Sequence, residues 1–365
     1  MSTKRVYVDI HVLQTVPPSC VNRDDTGSPK MARYGGVSRA RVSSQCWKHA
    51  IRAYFRDHLD ESRLATRTKN AEEKVADFLV EAGYEEETAK ELAENALKEL
   101  QIKTSKEGKK DALFFISHAQ AKAVAEVIDA GEKDSSKKDG WKDALKKAIS
   151  EAPGLEIALF GRMVAGDTSL NLDACCQVAH AISTHRVSNE FDYYTAVDDL
   201  HAEDEERTDS GAGHIGSTEF NSSTLYRYAT IAVHDLFEKT GQETSEAVKD
   251  FVEAFICSMP TGKQNAFANR TLPDAVLVTL RNDQPVNFAG AFENPVKSSE
   301  GYVNASKQRL GEYALSCYRS FVSEPVKSFT IGGMDEALGE QVTMKELLTG
   351  LENSIHEELK NIERN

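Results

Sequence analysis

The chain has 365 residues, with 44 Lys+Arg against 58 Asp+Glu and a formal net charge of -14. Its pI is near 5.3. That balance excludes a protein that coats nucleic acid with a uniformly basic surface, but not one that gathers a few cations in one place. With 40% hydrophobic residues and a mean hydropathy of -0.47, the composition is that of a soluble protein. At roughly 150 residues per domain, the length fits two units or one enlarged domain.

Residues 1–6 lack the apolar stretch of a signal peptide, and no window approaches the roughly 18 apolar residues of a membrane helix. Cys20, Cys46, Cys175, Cys176, Cys257 and Cys317 form no C-x-x-C pair. They point to a cytoplasmic protein with reduced thiols and argue against a zinc site.

Residues 5–13 alternate, with Val6, Val8, Ile10 and Val12 against Tyr7, Asp9 and His11, which predicts a half-buried strand ended by Pro17-Pro18. Residues 19–42 read as a long loop holding Asp24-Asp25 and Gly35-Gly36. A helix is expected to start at Ser43 or Ser44, with Trp47, Ile51, Tyr54 and Phe55 at helical spacing. Residues 57–153 carry helical patterns and no strand signal, which predicts an all-helical insertion containing a solvated linker at 132–138. Leu155–Phe160 reads as a strand, 174–187 fits either a strand or a helix, and 198–217 reads as an acidic, flexible excursion. Thr224–Val233 is strand-like, Ser245–Cys257 helical, and Val276, Val278 and Leu280 alternate in a further strand before a mostly helical remainder. The order is β-α-β-β-α-β, an α+β class of ferredoxin-like or RRM type with swollen connections. By itself that order decides no function.

The charge is unevenly placed. Thr26–Arg56 contains Lys30, Arg33, Arg39, Arg41, Lys48, Arg52 and Arg56 and no Asp or Glu. Gln45, Lys48, Arg52 and Arg56 share one helix face. The helix start at Ser43-Ser44 adds free N–H groups, and the combination favours phosphate. An ordinary solvated helix face is the alternative. His180, His185, His201, His214 and His234 show no metal-ligand spacing. Asp24-Asp25 either shapes a turn or ligates a metal. Tyr193-Tyr194 either packs or stacks on bases. There is no phosphate-binding glycine motif, which leaves a nucleotide-binding enzyme unsupported, and no RNP aromatic pattern.

Several ordered motifs resemble one family. They are Val8-Asp9-Ile10-His11-Val12-Leu13, Pro18–Asp25, Gly35-Gly36, Arg41-Val42-Ser43-Ser44-Gln45, Ile157–Met163, Ala179–His185, Tyr194–Asp199, Glu219-Phe220, Tyr226–Ala229 and Gly262-Lys263-Gln264. Together they resemble the CasC family, the backbone subunits of the type I-E CRISPR surveillance complex Cascade. The resemblance spans roughly residues 6–300 and is loose in the helical insertion and the C-terminal region. It implies a non-catalytic subunit without cofactor or metal, whose copies polymerise head-to-tail along the CRISPR RNA (crRNA) and present its spacer to target DNA. CasA, CasB, CasD and CasE are the further partners it implies, with no membrane. It implies a modified RRM palm (1–56, 154–187 and 218–365), helical fingers (57–153) and a flexible thumb (188–217).

Carried over by motif, Arg23, Lys30, Ser43, Ser44, Gln45, Lys48 and Arg52 hold the guide backbone, with Arg39 and Arg41 in the basic run after the paired glycines. Arg162 and Met163 line the same channel, and Lys263 matches a loop lysine. Tyr193, Tyr194 and Thr195 stand where relatives carry the thumb wedge Trp-Phe-Thr. The basic run here, Val37-Ser38-Arg39-Ala40-Arg41, is sparser than in relatives. The rival is a metal-dependent RNA-cleaving subunit of type III character, with Asp24 or Asp25 as the catalytic carboxylate.

Overall fold

The computed structural model describes residues 5–102, 113–134, 140–164, 166–197 and 212–363. Strand β1 (Tyr7–Ser19) runs past Pro17-Pro18 instead of ending there. A register shift between Val16 and Ser19 accommodates the prolines, which donate no ladder bond. The stretch expected as loop after it contains a hairpin, β2 (Met31–Tyr34) and β3 (Val37–Val42). Gly35 and Gly36 form its two-residue turn, both at positive φ (57° and 77°), the geometry that suits a tight hairpin. A Cβ on Gly35 would overlap the carbonyl of Glu293.

Helix α1 (Ser44–His58) begins where expected, with the Ser43 side chain accepting from the Cys46 N–H at 3.3 Å. The following segment is not all helical. Helices α2 (Ala71–Glu81), α3 (Glu86–Glu99), α4 (His118–Lys133) and α5 (Trp141–Ser150) surround a two-stranded sheet of β4 (Ala65–Thr68) and β5 (Phe114–Ser117). These strands are too short to show a period. Ala71 through Leu170 contribute a hydrophobic cluster of their own. The linker at 132–138 lies outside the described residues from 135 to 139.

Leu155–Phe160, expected as a strand, is helix α6 (Gly154–Phe160). Leu155, Ile157, Ala158 and Leu159 are all buried, and a continuously apolar run fits either element. The ambiguous stretch 174–187 resolves into strands β6 (Cys176–Val178) and β7 (Ala181–Ser183). Strand β8 (Glu190–Val197) pairs with the start of β9 (Ala212–Ala232), so 212–217 is strand and not free excursion, while 198–211 lies outside the described residues. Helices α7 (Val233–Thr240), α8 (Thr244–Cys257) and α9 (Gln264–Phe267) lead to β10 (Ala275–Arg281). Helix α10 (Val303–Ser320), β11 (Lys327–Ile331), β12 (Glu340–Gln341) and α11 (Met344–Glu363) complete the chain.

The main sheet runs β12-β11-β10-β1-β9-β7-β3-β2, with β6 and β8 also pairing to β9. Its centre is β10-β1-β9-β6/β7, with each strand antiparallel to its neighbour. Thus β1 and β6 run parallel, with β9 between them. Val8, Ile10 and Val12 pack with Ile51 and Phe55 of α1, Phe251 of α8 and Leu351 of α11. The opposite face of β1 is not half-exposed. Asp9 and His11 are buried there, beneath a helical turn at Phe288–Phe292 and α10. His11 stacks on Phe288, with ring centroids 4.5 Å apart. Tyr228 donates to Asp9 Oδ1 at 2.9 Å, and the Val286 N–H donates to Oδ2 at 2.8 Å. The polar alternation of β1 is therefore an internal hydrogen-bonded layer. No helix among the described residues is long and apolar enough to cross a membrane.

Candidate nucleic-acid interface

The loop after β1 is braced against the hairpin and the start of α1. The Lys30 N–H donates to the Asn22 carbonyl at 2.8 Å, and the Arg41 N–H to the Lys30 carbonyl at 2.9 Å. Asn22 Oδ1 accepts from the Ser43 N–H at 2.9 Å, which fixes the residue that caps α1. Asp24 Oδ1 accepts from the Thr26 and Ser28 N–H groups at 3.0 Å each and from the Thr26 hydroxyl at 2.7 Å. These bonds hold its carboxyl below the usual range, the Thr26 hydroxyl bond contributing most. Asp24 thus shapes a turn, while Asp25 is exposed. Among the described residues, no three His, Cys, Asp or Glu side chains gather so as to hold a metal ion.

This loop, the first half of α1 and Met259–Gly262 enclose a cleft of about 530 Å³, lined by Arg23, Asp25, Cys46, His49 and Thr261 among others. Lys263, at φ 47°, donates to the Thr218 hydroxyl at 3.2 Å. Its charge and that of Arg23 both bear on the Cys20 thiol, so the two cations flank one spot. Gly262 lies so close to the Val21 carbonyl that a Cβ would overlap it.

The cations divide into two groups. Arg23, Arg33 and Arg56 are exposed, and Lys30, Arg41 and Lys48 are half-buried. Ser44 is half-buried and Gln45 exposed at the helix start, while the buried Ser43 serves as its cap. Lys48 lies over the Phe160 ring at 5.4 Å.

Arg39, expected among the surface cations, is fully buried. It donates to the carbonyls of Tyr34 (3.2 Å), Ser183 (2.9 Å), Phe292 (2.8 Å) and Glu293 (3.3 Å). Arg162 is buried too, and so does not line a channel. It donates to the carbonyls of Phe115, Ile149 and Leu170 and to Gln120 Oε1, and burial lowers its pKa to about 10. Its neighbour Met163 is 85% exposed. Arg52 is largely committed inward, 4.7 Å above the Phe115 ring and 3.8 Å from Glu156 Oε1. Glu156 Oε2 accepts from the Ala65 N–H at 2.6 Å, so α6, β4 and α1 meet at this pair.

Tyr193 and Tyr194 lie on β8, where successive side chains point to opposite faces. Tyr193 is 64% exposed, and it shares its face with Phe191, 70% exposed. Tyr194 takes the other face, with its ring over Gly216, where a Cβ would lie 2.5 Å from the ring. The two tyrosines are therefore not one wedge. Thr195 pairs with Ile215 across the ladder. Glu219 braces the base of this hairpin, accepting from Ser28 Oγ at 2.8 Å and Asn189 Nδ2 at 2.9 Å. Phe191 carried no signal in the sequence, and Glu219 none beyond its place in the Glu219-Phe220 motif.

Among the described residues no histidines gather so as to hold a metal ion, and His201 lies outside them. His180 contacts Arg41, with 3.1 Å between His180 Nδ1 and Arg41 Nη1. His185 stacks on Tyr302 and accepts from the Thr224 N–H. His234 contacts the backbone of Val6.

The sequence profile of the CT1975-like proteins matches residues 8–356. The chain belongs to the CT1975-like protein family. No curated protein sequence matches it. Among solved structures, one described as a CRISPR RNA-guided surveillance complex in a pre-nicking state contains a similar chain. That chain is 34% identical, with a TM-score of 0.78, covering 96% of this chain and 100% of the other. A second, from a CRISPR RNA-guided surveillance complex, is 27% identical with a TM-score of 0.68, covering 94% and 99%.

Proposed function

We propose that this CT1975-like protein is a backbone subunit of a type I-E Cascade complex, of the CasC kind. Its copies polymerise along the crRNA spacer and hold the phosphate backbone while the bases remain free to pair with target DNA. The observation that carries this reading is the acid-free stretch from Thr26 to Arg56, folded around the capped start of α1 in a chain that matches surveillance-complex subunits over nearly its whole length. Guide sequences vary, so contacts must go to phosphate, and Watson–Crick pairing reads the target.

In this reading, residues 1–56, 154–187 and 218–365 are an RRM-like palm, 57–153 the fingers and 188–217 the thumb. Arg23, Lys30, Arg41, Ser44, Gln45, Lys48 and Lys263 face phosphate, Met163 packs on bases, and Phe191 and Tyr193 form the apolar face of the thumb. Arg39, Arg52 and Arg162 serve as internal struts that hold this surface. Successive copies meet head-to-tail, a heterologous contact that builds a filament whose length the RNA limits. The subunit is cytoplasmic, works without a cofactor, performs no chemistry, and meets CasA, CasB, CasD and CasE.

Co-expression with a CRISPR array and purification test this. The expected result is a discrete protected RNA with several copies of the protein per RNA, and loss of both in Lys30→Glu with Lys48→Glu. Monomeric protein free of RNA, or RNA retention unchanged in that variant, would overturn it.

A further inference from the structure

The contact between Arg41 and His180 has a chemical consequence. Arg41 has no acceptor capacity, so at 3.1 Å its Nη1–H donates to His180 Nδ1, and the imidazole must be neutral with Nε2–H outward. The Arg41 Nε–H donates to the Met31 carbonyl at 3.2 Å, which fixes the guanidinium. The Ala179 N–H donates to the Tyr228 carbonyl at 2.9 Å, which fixes the turn carrying His180. The imidazole is exposed, within reach of a ligand.

Among the described residues, the charged groups that bear on His180 are Arg41 on β3 and Lys30 on the loop before β2, with no carboxylate among them. From β9, the Tyr228 hydroxyl is already committed to Asp9. Partial burial and the two cations hold His180 below the usual histidine range. Lys30 also bears on Cys46 in the first turn of α1, so these groups are continuous with the phosphate surface described above.

We propose that His180 is a further phosphate-binding residue of this interface and that it takes up a proton when RNA binds. The proposal rests on the RNA-binding reading. A phosphate oxygen arriving between Lys30, Arg41 and His180 draws the Arg41 Nη1–H away from the imidazole. The freed Nδ1 gains a proton from solvent, and the imidazolium becomes another charge-assisted donor to phosphate. No other bond forms or breaks, and the phosphate supplies the negative charge that the pair lacks in the free protein. Because protonated histidine is the binding form, affinity increases as pH falls. Each unit by which RNA raises the His180 pKa corresponds to up to about a tenfold gain in affinity.

The test is calorimetric titration of the full-length protein with a single-stranded RNA oligonucleotide, in buffers of different ionisation enthalpy, between about pH 5.5 and pH 8. Proton uptake and a several-fold tightening toward low pH are expected, with that component absent in His180→Gln. Retention of binding with no such component is expected in His180→Lys, whose charge is permanent. Other histidines such as His49 contribute equally to all three proteins and cancel. RNA binding without proton uptake, or with the same pH dependence in His180→Gln, would overturn the proposal. Absence of RNA binding at every pH would overturn the underlying reading and the proposal with it.

Discussion

Arg39 on β3 donates from Nη1 to the carbonyl of Ser183 on β7 at 2.9 Å, deep inside the protein. Its second terminal nitrogen reaches the Phe292 carbonyl at 2.8 Å. One cation of the acid-free stretch therefore joins the hairpin, the central sheet and the C-terminal region. In Arg39→Ala these buried carbonyls lose their donor, which is expected to cost about 2–4 kcal/mol. Urea unfolding measures that cost. The salt dependence of RNA binding by the folded protein is expected to keep its slope, and a shallower slope would return Arg39 to the surface proposed for phosphate.

Lys30 and Lys48 are expected to behave in the opposite way. Each alanine substitution should make the plot of log affinity against log salt shallower by about 0.7, the increment for one phosphate on a single strand. The expected change in stability is within about 0.5 kcal/mol, as for surface substitutions in general. Fluorescence anisotropy across a salt series checks the slopes.

The hairpin of β8 and β9 offers a test of face. Phe191 and Tyr193 share one side of β8, and Tyr194 rests on Gly216 on the other. Phe191→Ala and Tyr193→Ala should each weaken retention of RNA by about 1–3 kcal/mol, the range for a lost stacking platform. Gly216→Ala should instead displace the Tyr194 ring and lower the protease resistance of the hairpin. A Tyr194→Ala loss of RNA larger than that of Tyr193→Ala would show that the working face is the other one.

The buried layer on β1 gives stability two opposing pH dependences. Burial raises the Asp9 carboxyl to about 6, and burial lowers the His11 imidazole to about 3. For Asp9 the folded state keeps a proton that the unfolded chain releases. Its contribution is full below about pH 4 and lost as pH rises through about 6, of order 3 kcal/mol. For His11 the unfolded chain holds the extra proton, so stability rises between about pH 3 and pH 6.5. Asp9→Asn is expected to steepen the rise of stability over that interval, and His11→Gln to expose the fall. Urea midpoints measured across pH decide both, and parallel profiles for wild type and Asp9→Asn would disprove the burial account.

Asp25 lines the cleft beside α1 with its carboxylate exposed. Asp25→Ala is expected to leave retention of RNA within twofold of wild type. Incubation of the complex with a complementary RNA and a divalent cation is expected to leave that RNA whole. Cleavage lost in Asp25→Ala would establish a nuclease.

Much of the fold was legible locally. The apolar alternation of β1, a cap for α1 at Ser43 or Ser44 and the period of α8 each depend on neighbours within a turn or two, and the structure has them where the residues indicate, with Ser43 as the cap. The hairpin of β2 and β3 was not legible, because four and six residues of mixed polarity show no period. Its only local sign was Gly35-Gly36. Leu155–Phe160 misled because a fully buried helix and a fully buried strand are both continuously apolar.

The sequence by itself determined where the cations are. Seven of them and no acid occupy Thr26–Arg56 whatever the fold. Which of them face solvent was decided only in three dimensions. Carbonyls of Ser183, Phe292 and Glu293 converge on Arg39, and Glu156 with Phe115 converges on Arg52. Arg41, by contrast, meets the exposed imidazole of His180. The guanidinium takes what the folded chain brings to it: the Ser183 carbonyl at 2.9 Å for Arg39, the His180 imidazole at 3.1 Å for Arg41 and the Glu156 carboxylate at 3.8 Å for Arg52, each more than a hundred residues away along the chain. Local pattern therefore places charge along the chain, and long-range packing decides whether each charge holds the protein together or remains free for a ligand.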